Sequence, residues 1–88
     1  MKLLIAITKK DIRNGERNDP QCCPVALAAV RSLPERLSRK ASWNPIEVTR
    51  GCLWFGYRNF FLPQEAKDFV ARFDNKRKVE PFSFEINV

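Results

Sequence analysis

No histidine occurs anywhere in the sequence, and glycine appears only at positions 15, 51 and 56. The first absence removes the usual general base of a cysteine or serine hydrolase together with a common metal ligand. With so few glycines there is no phosphate-cradling loop, so nucleotide hydrolysis has no support. The three cysteines, two of them adjacent at 22 and 23, cannot form a complete set of disulfides. They also show no CxxC redox spacing and fall short of the four ligands a structural zinc needs. Reduced thiols are expected, with no metal, no cofactor and no catalytic residue. No apolar run approaches the roughly 18 residues of a membrane span. The run at 3–7 stops at Thr8, Lys9 and Lys10, too early for the hydrophobic region of a signal peptide. The expectation is a cytoplasmic protein with no membrane partner.

What is present is enough apolar material to order a small core. The 88 residues are 44% hydrophobic, with seven phenylalanines and two tryptophans, and no low-complexity tract or internal repeat interrupts them. One domain spanning 1–88 is expected, too small for a deep, elaborated cleft. Sixteen Lys and Arg against ten Asp and Glu give a net charge of +6, which favours anionic partners by long-range attraction. The basic residues are scattered: Lys9, Lys10, Arg13 and Arg17; Arg31, Arg36, Arg39 and Lys40; Arg72, Lys76, Arg77 and Lys78.

Hydrophobic periodicity and capping signals give the order β-α-β-β-β-α-β. Residues 2–8 read as a strand apolar on both faces, hence central. In "TKKDIRNG" Thr8 caps a short helical turn with Asp11 at the third position of a capping box, Ile12 points inward and Gly15 ends the turn in a left-handed conformation. Pro24 suits the first position of a helix over 25–33 that is apolar nearly all round and therefore buried, with Pro34 ending it or starting a further turn. Residues 46–49, 52–55 and 60–62 read as a three-stranded meander turning at Arg50-Gly51 and at 56–59. "LPQEAKDFVARFD" is the clearest helix: Ala66, Phe69, Val70 and Phe73 fall at i, i+3, i+4 and i+7, Pro63 starts it, and Asn75 ends it. Lys76, Arg77 and Lys78 complement its negative end. "PFSFEINV" alternates as a half-buried strand. The fold class is α+β, a two-layer sandwich of a small antiparallel or mixed sheet with two helices on one face.

Two stretches carry candidate chemistry. Cys22 and Cys23 stand at a helix N-terminus, where unpaired N–H groups can stabilise a thiolate. Without a base beside it, Cys23 reads instead as a small buried residue packing the start of the helix. Paired carboxylates are no better placed, because Asp68, Asp74, Glu80 and Glu85 lie on polar faces. The second stretch, "TRGCLWFGYRNFF", interleaves Arg50 and Arg58 with Trp54 and Tyr57, as a single-strand-binding sheet or a protein-binding patch would. It lacks the aromatic signature of RNA-recognition domains. The candidate binding residues are Arg50, Trp54, Tyr57, Arg58, Lys76, Arg77 and Lys78.

The strand followed by "T..DI..G", then "CPVALA", "LP.EA..FV..FD" and "V.PF.FEI", resembles in that order a family of small proteins encoded by bacteriophages and other mobile elements. The similarity covers most of the chain. Residues 34–45 carry no shared motif, and the doubled cysteine and strong positive charge are particular to this sequence. The family brings no assigned activity. Its genomic context implies a non-enzymatic module that binds a host protein or complex, such as an inhibitor of a defence or nucleic-acid-handling assembly. Direct nucleic-acid binding is the alternative, and sequestration of a small anionic nucleotide between protomers is a third expectation from charge and context.

Overall fold

Leu3, Ile5 and Ile7 fall on one face of a run of five apolar residues, and the strand they form, β1 (Lys2–Ile7), lays all three on the core. The computed structural model describes residues 2–32, 46–49, 51–55 and 58–87. Among these the chain continues through α1 (Lys9–Asn14), α2 (Pro24–Ser32), β2 (Ile46–Thr49), β3 (Cys52–Phe55), β4 (Arg58–Phe61), α3 (Gln64–Asp74) and β5 (Phe82–Asn87). The class is α+β. The strands form two antiparallel sheets, β1 with β5 and a meander in the order β2-β3-β4. Pro34 and the rest of 33–45, like Arg50, Gly56 and Tyr57, lie outside the described residues.

The register of the first sheet sets Leu3 against Ile86, Ile5 against Phe84 and Ile7 against Phe82, so each core-facing residue meets an apolar partner. The opposite face is open. Leu4 is 56% exposed, which corrects the expectation of a central strand: among the described residues β1 pairs only with β5 and is covered on one side. On the meander, Ile46, Val48 and Leu53 point into the same core, joined by Val25, Ala26, Ala28 and Ala29 of α2 and by Ala66, Phe69 and Phe73 of α3. Small alanines let α2 approach β1 closely. The helix is not buried all round, however, since Val30 is 51% exposed and Arg31 is exposed beside it.

The ends of the short helix explain how the first third of the chain is fixed. Thr8 accepts from the Asp11 backbone N–H at 3.3 Å, and Asp11 Oδ2 accepts from the Thr8 N–H at 2.8 Å, the reciprocal pair of a capping box. Asp11 does more than cap. Arg31, one helix later, donates Nη1 to Oδ1 at 2.5 Å and Nη2 to Oδ2 at 2.8 Å, and Nη2 also reaches the Ala6 carbonyl at 2.7 Å. The carboxylate, 4% exposed, thus ties the end of β1, the start of α1 and the last turn of α2 into one joint.

Gly15 is not left-handed as the sequence suggests. Its φ is −72°, open to any residue, and the need for glycine is steric instead. A Cβ there would lie 2.6 Å from Pro24 Cδ and 2.8 Å from Pro24 N. Neither the ring nor the backbone can yield without moving the start of α2, so Gly15→Ala should destabilise by about 1–3 kcal/mol in urea unfolding. A neutral result would show that α1 and α2 are not in this close contact.

Candidate functional site

Cys23 marks the start of α2: its carbonyl accepts from the Leu27 N–H at 3.0 Å and Pro24 is the first helical residue. The thiol is buried. Burial pushes its pKa up, against the lowering effect of the backbone N–H groups of Ala26 and Val25. Cys22 is also pushed up, by desolvation first and then by Asp19 and Glu16. Neither thiol is poised as a thiolate. Glu16, Asp19 and Cys22 bring their ligand atoms within 4.8 Å of one another, a juxtaposition made by the turn itself. Asp19 Oδ1 accepts from the backbone N–H groups of Gln21 and Cys22 at 2.9 and 3.1 Å, an Asx turn that uses the carboxylate internally. Among the described residues no buried side-chain polar atom lacks a partner, and no helix is long and apolar enough to cross a membrane.

The meander separates Trp54 from Arg58 within "TRGCLWFGYRNFF". Trp54 stands opposite Asn59 and Glu47, whereas Arg58 stands opposite Phe55 and so lies in the alternate row. Successive residues of a strand point to opposite faces, so Trp54 and Arg58 occupy different sides of the sheet. Arg58 sits over the Phe60 ring, 5.3 Å from its centroid. Arg50 and Tyr57 lie outside the described residues.

Lys76, Arg77 and Lys78 have a better-defined setting. Asn75 caps α3, and Lys76 takes the left-handed conformation, φ 62°. The Lys76 N–H then donates to the Phe73 carbonyl at 3.1 Å and the Arg77 N–H to the Arg72 carbonyl at 2.8 Å, the paired bonds of a Schellman motif. The three basic side chains are exposed and follow directly from this fixed turn. A fourth cation arrives from far along the chain. The Asn18 N–H donates to Asp74 Oδ1 at 2.9 Å, which lays the loop after α1 on the last turn of α3, and Arg17 covers the Phe73 ring at 5.5 Å. With Arg72 on that same turn, Arg17, Arg72, Lys76, Arg77 and Lys78 gather at the end of α3 as a basic pole that also holds two acids, Asp74 and Glu80, the latter with Oε1 3.8 Å from Lys78 Nζ. Beside it, a shallow depression of about 280 Å³ has Phe69, Val79 and Phe82 in its lining, with Arg72 and Lys78 facing the carboxylates of Glu65, Asp68 and Glu80 among its polar groups.

The recruitment of Arg17 has no local signal in the sequence. It depends on a hydrogen bond between residues 56 positions apart. No protein family, curated protein or solved structure matches the chain. The site therefore stands on its own geometry.

Proposed function

We propose that the protein is a non-enzymatic binding module, of phage or mobile-element origin, that docks through the basic pole onto an acidic surface of a host protein or complex. Inhibition of a defence or nucleic-acid-handling assembly is the role this reading implies. The observation that carries it is the convergence of Arg17 with Arg72 and Lys76–Lys78 at one end of α3. A cap holds that end rigid, so little side-chain-bearing backbone has to be ordered on binding. Clustered cations speed encounter with an acidic surface and set the orientation of docking.

The same pole can neutralise phosphates, so nucleic acid is the second reading. It is the weaker one, because Trp54 and Arg58 lie on opposite faces and do not together make a platform on which bases stack beside an arginine. The two readings part in a pull-down of tagged protein from host lysate, with and without nuclease. A partner that survives nuclease and is lost from the Arg77→Glu/Lys78→Glu variant is expected, with affinity reduced at least about tenfold. Loss of every partner on nuclease treatment, together with steep salt dependence, would transfer the assignment to nucleic acid.

A further inference from the structure

Glu65, Asp68, Phe69 and Arg72 fall at i, i+3, i+4 and i+7 along α3, a spacing that puts them on one stripe of the helix. The two acids precede Phe69 and the base follows it. After the α3 cap the chain doubles back, and the Phe82 ring comes to 5.1 Å from that of Phe69. The depression of about 280 Å³ lies between this stripe and the returning residues 78–82. Its apolar lining is Phe69 with Val79 and Phe82, the last two half-buried. Among the described residues Glu65, Asp68 and Arg72 have no opposite charge within 4.0 Å, so the groove does not neutralise itself. Lys78 and Glu80 do approach, at 3.8 Å, but both are exposed and such a pair is worth little.

We infer that this groove receives a segment of the partner protein in which one apolar side chain stands between a basic and an acidic one. The inference deepens the docking reading of the basic pole and rests on it, because Arg72 and Lys78 belong to both. The volume lies below the about 300–1,000 Å³ typical of small-molecule sites and suits a single projecting side chain. Charge complementarity sets what flanks that anchor. A carboxylate on one side of it meets Arg72 and Lys78, the acidic contact expected at the pole, whereas a carboxylate on the other side would face Glu65 and Asp68 and be repelled. A wholly acidic segment is therefore a poor fit, and a lysine or arginine belongs at the second position. Glu65 and Arg72 are seven residues apart, about 10 Å along a helix rising about 1.5 Å per residue, and an extended chain covers that distance in about three residues. The base and the acid of the partner are thus expected about three positions apart, with the anchor between them. Desolvation of the anchor against Phe69, Val79 and Phe82 supplies affinity, and the flanking charges fix its orientation.

Selection of a random peptide library on the immobilised full chain tests it. Enriched peptides should carry an apolar residue between a base and an acid, and a synthetic peptide of that consensus should bind the wild type in isothermal titration calorimetry. Asp68→Lys, at an exposed position, should leave the unfolding curve unchanged and weaken that peptide at least about tenfold. Reselection on Asp68→Lys should replace the base of the consensus by a second acid. Enrichment of uniformly acidic peptides on the wild type, or a consensus indifferent to Asp68→Lys, overturns the inference; the pole reading survives that result if the host partner is still lost from Arg77→Glu/Lys78→Glu. A library that yields no peptide overturns it as well. Self-association of the wild type in sedimentation equilibrium, abolished by Asp68→Lys, would make a second copy the occupant and overturn it too. The opposite failure has its own signature: a bipolar consensus sensitive to Asp68→Lys, with a host partner that survives Arg77→Glu/Lys78→Glu, leaves the groove standing and removes the pole.

Discussion

Replacing Phe69 by alanine is expected to cost about 3–4 kcal/mol in urea unfolding at neutral pH. The ring is buried on α3 and is the middle of an aromatic row. It lies 6.3 Å from Phe73 and 5.1 Å from Phe82, and Phe82 in turn lies 5.8 Å from Phe84. Removing it opens a cavity between helix and strand that the flanking rings cannot fill without leaving their own contacts. A domain of this size has a total stability on the order of 5–10 kcal/mol, so the loss consumes a large share of it. A cost below about 1 kcal/mol would show that α3 does not pack on β5 through this row.

The second large effect is at the joint formed by Asp11. Asp11→Ala removes the cap of α1 and the partner of Arg31 in one step, and about 2–3 kcal/mol should be lost. The figure stays below that for breaking a fully buried ion pair, because Arg31 is half exposed and can recover water. Acid provides an independent check. The hydrogen bond from Arg31, opposed by burial and aided by Thr8, holds the Asp11 carboxyl below its ordinary value of 3.8. Because folding favours the ionised form, this contribution is complete above the unfolded pKa and is lost as pH falls through the folded one. Wild-type stability should therefore lose this contribution only below about pH 4, and Asp11→Ala should lack that part of the acid limb. Equal pH dependence in the two proteins would contradict the pairing.

These two sites differ in how far the sequence reveals them. The buried face of α3 is written in its spacing, and Ala66, Phe69 and Phe73 are the residues that the i, i+3, i+7 pattern selects. Val70, at i+4, is only half-buried, at the margin of the stripe. The capping box at Thr8 and Asp11 is equally local and equally legible. Arg31 is not, because its partner lies 20 residues away and side-chain pairing between separate elements leaves no periodic trace. The same limit explains β1. Five apolar residues in succession read as a strand covered on both sides, yet only pairing partners decide that, and the open face leaves Leu4 in water. The left-handed conformation falls on Lys76 rather than on Gly15 for a related reason. Glycine is needed where Pro24 presses on the backbone, while Lys76 accepts the left-handed position because the α3 cap forms there. Of the two groups of candidate binding residues in the sequence, the run after α3 stays together. Register divides Trp54 from Arg58, and a long-range contact adds Arg17.

The pairing of β1 with β5 also sets an order of assembly. Lys2 lies against Asn87 and Ile7 against Phe82, so β1 acquires this hydrogen-bonding partner only once residues 82–87 have been made. Until then Leu3, Ile5 and Ile7 are an unpaired apolar edge. The meander pairs strands adjacent in sequence and can form early, whereas pairing β1 with β5 closes the longest loop among the described strand pairs. The β1–β5 pairing should be the last of these to form, and a nascent chain stalled before residue 82 would leave β1 as an apolar edge prone to aggregation.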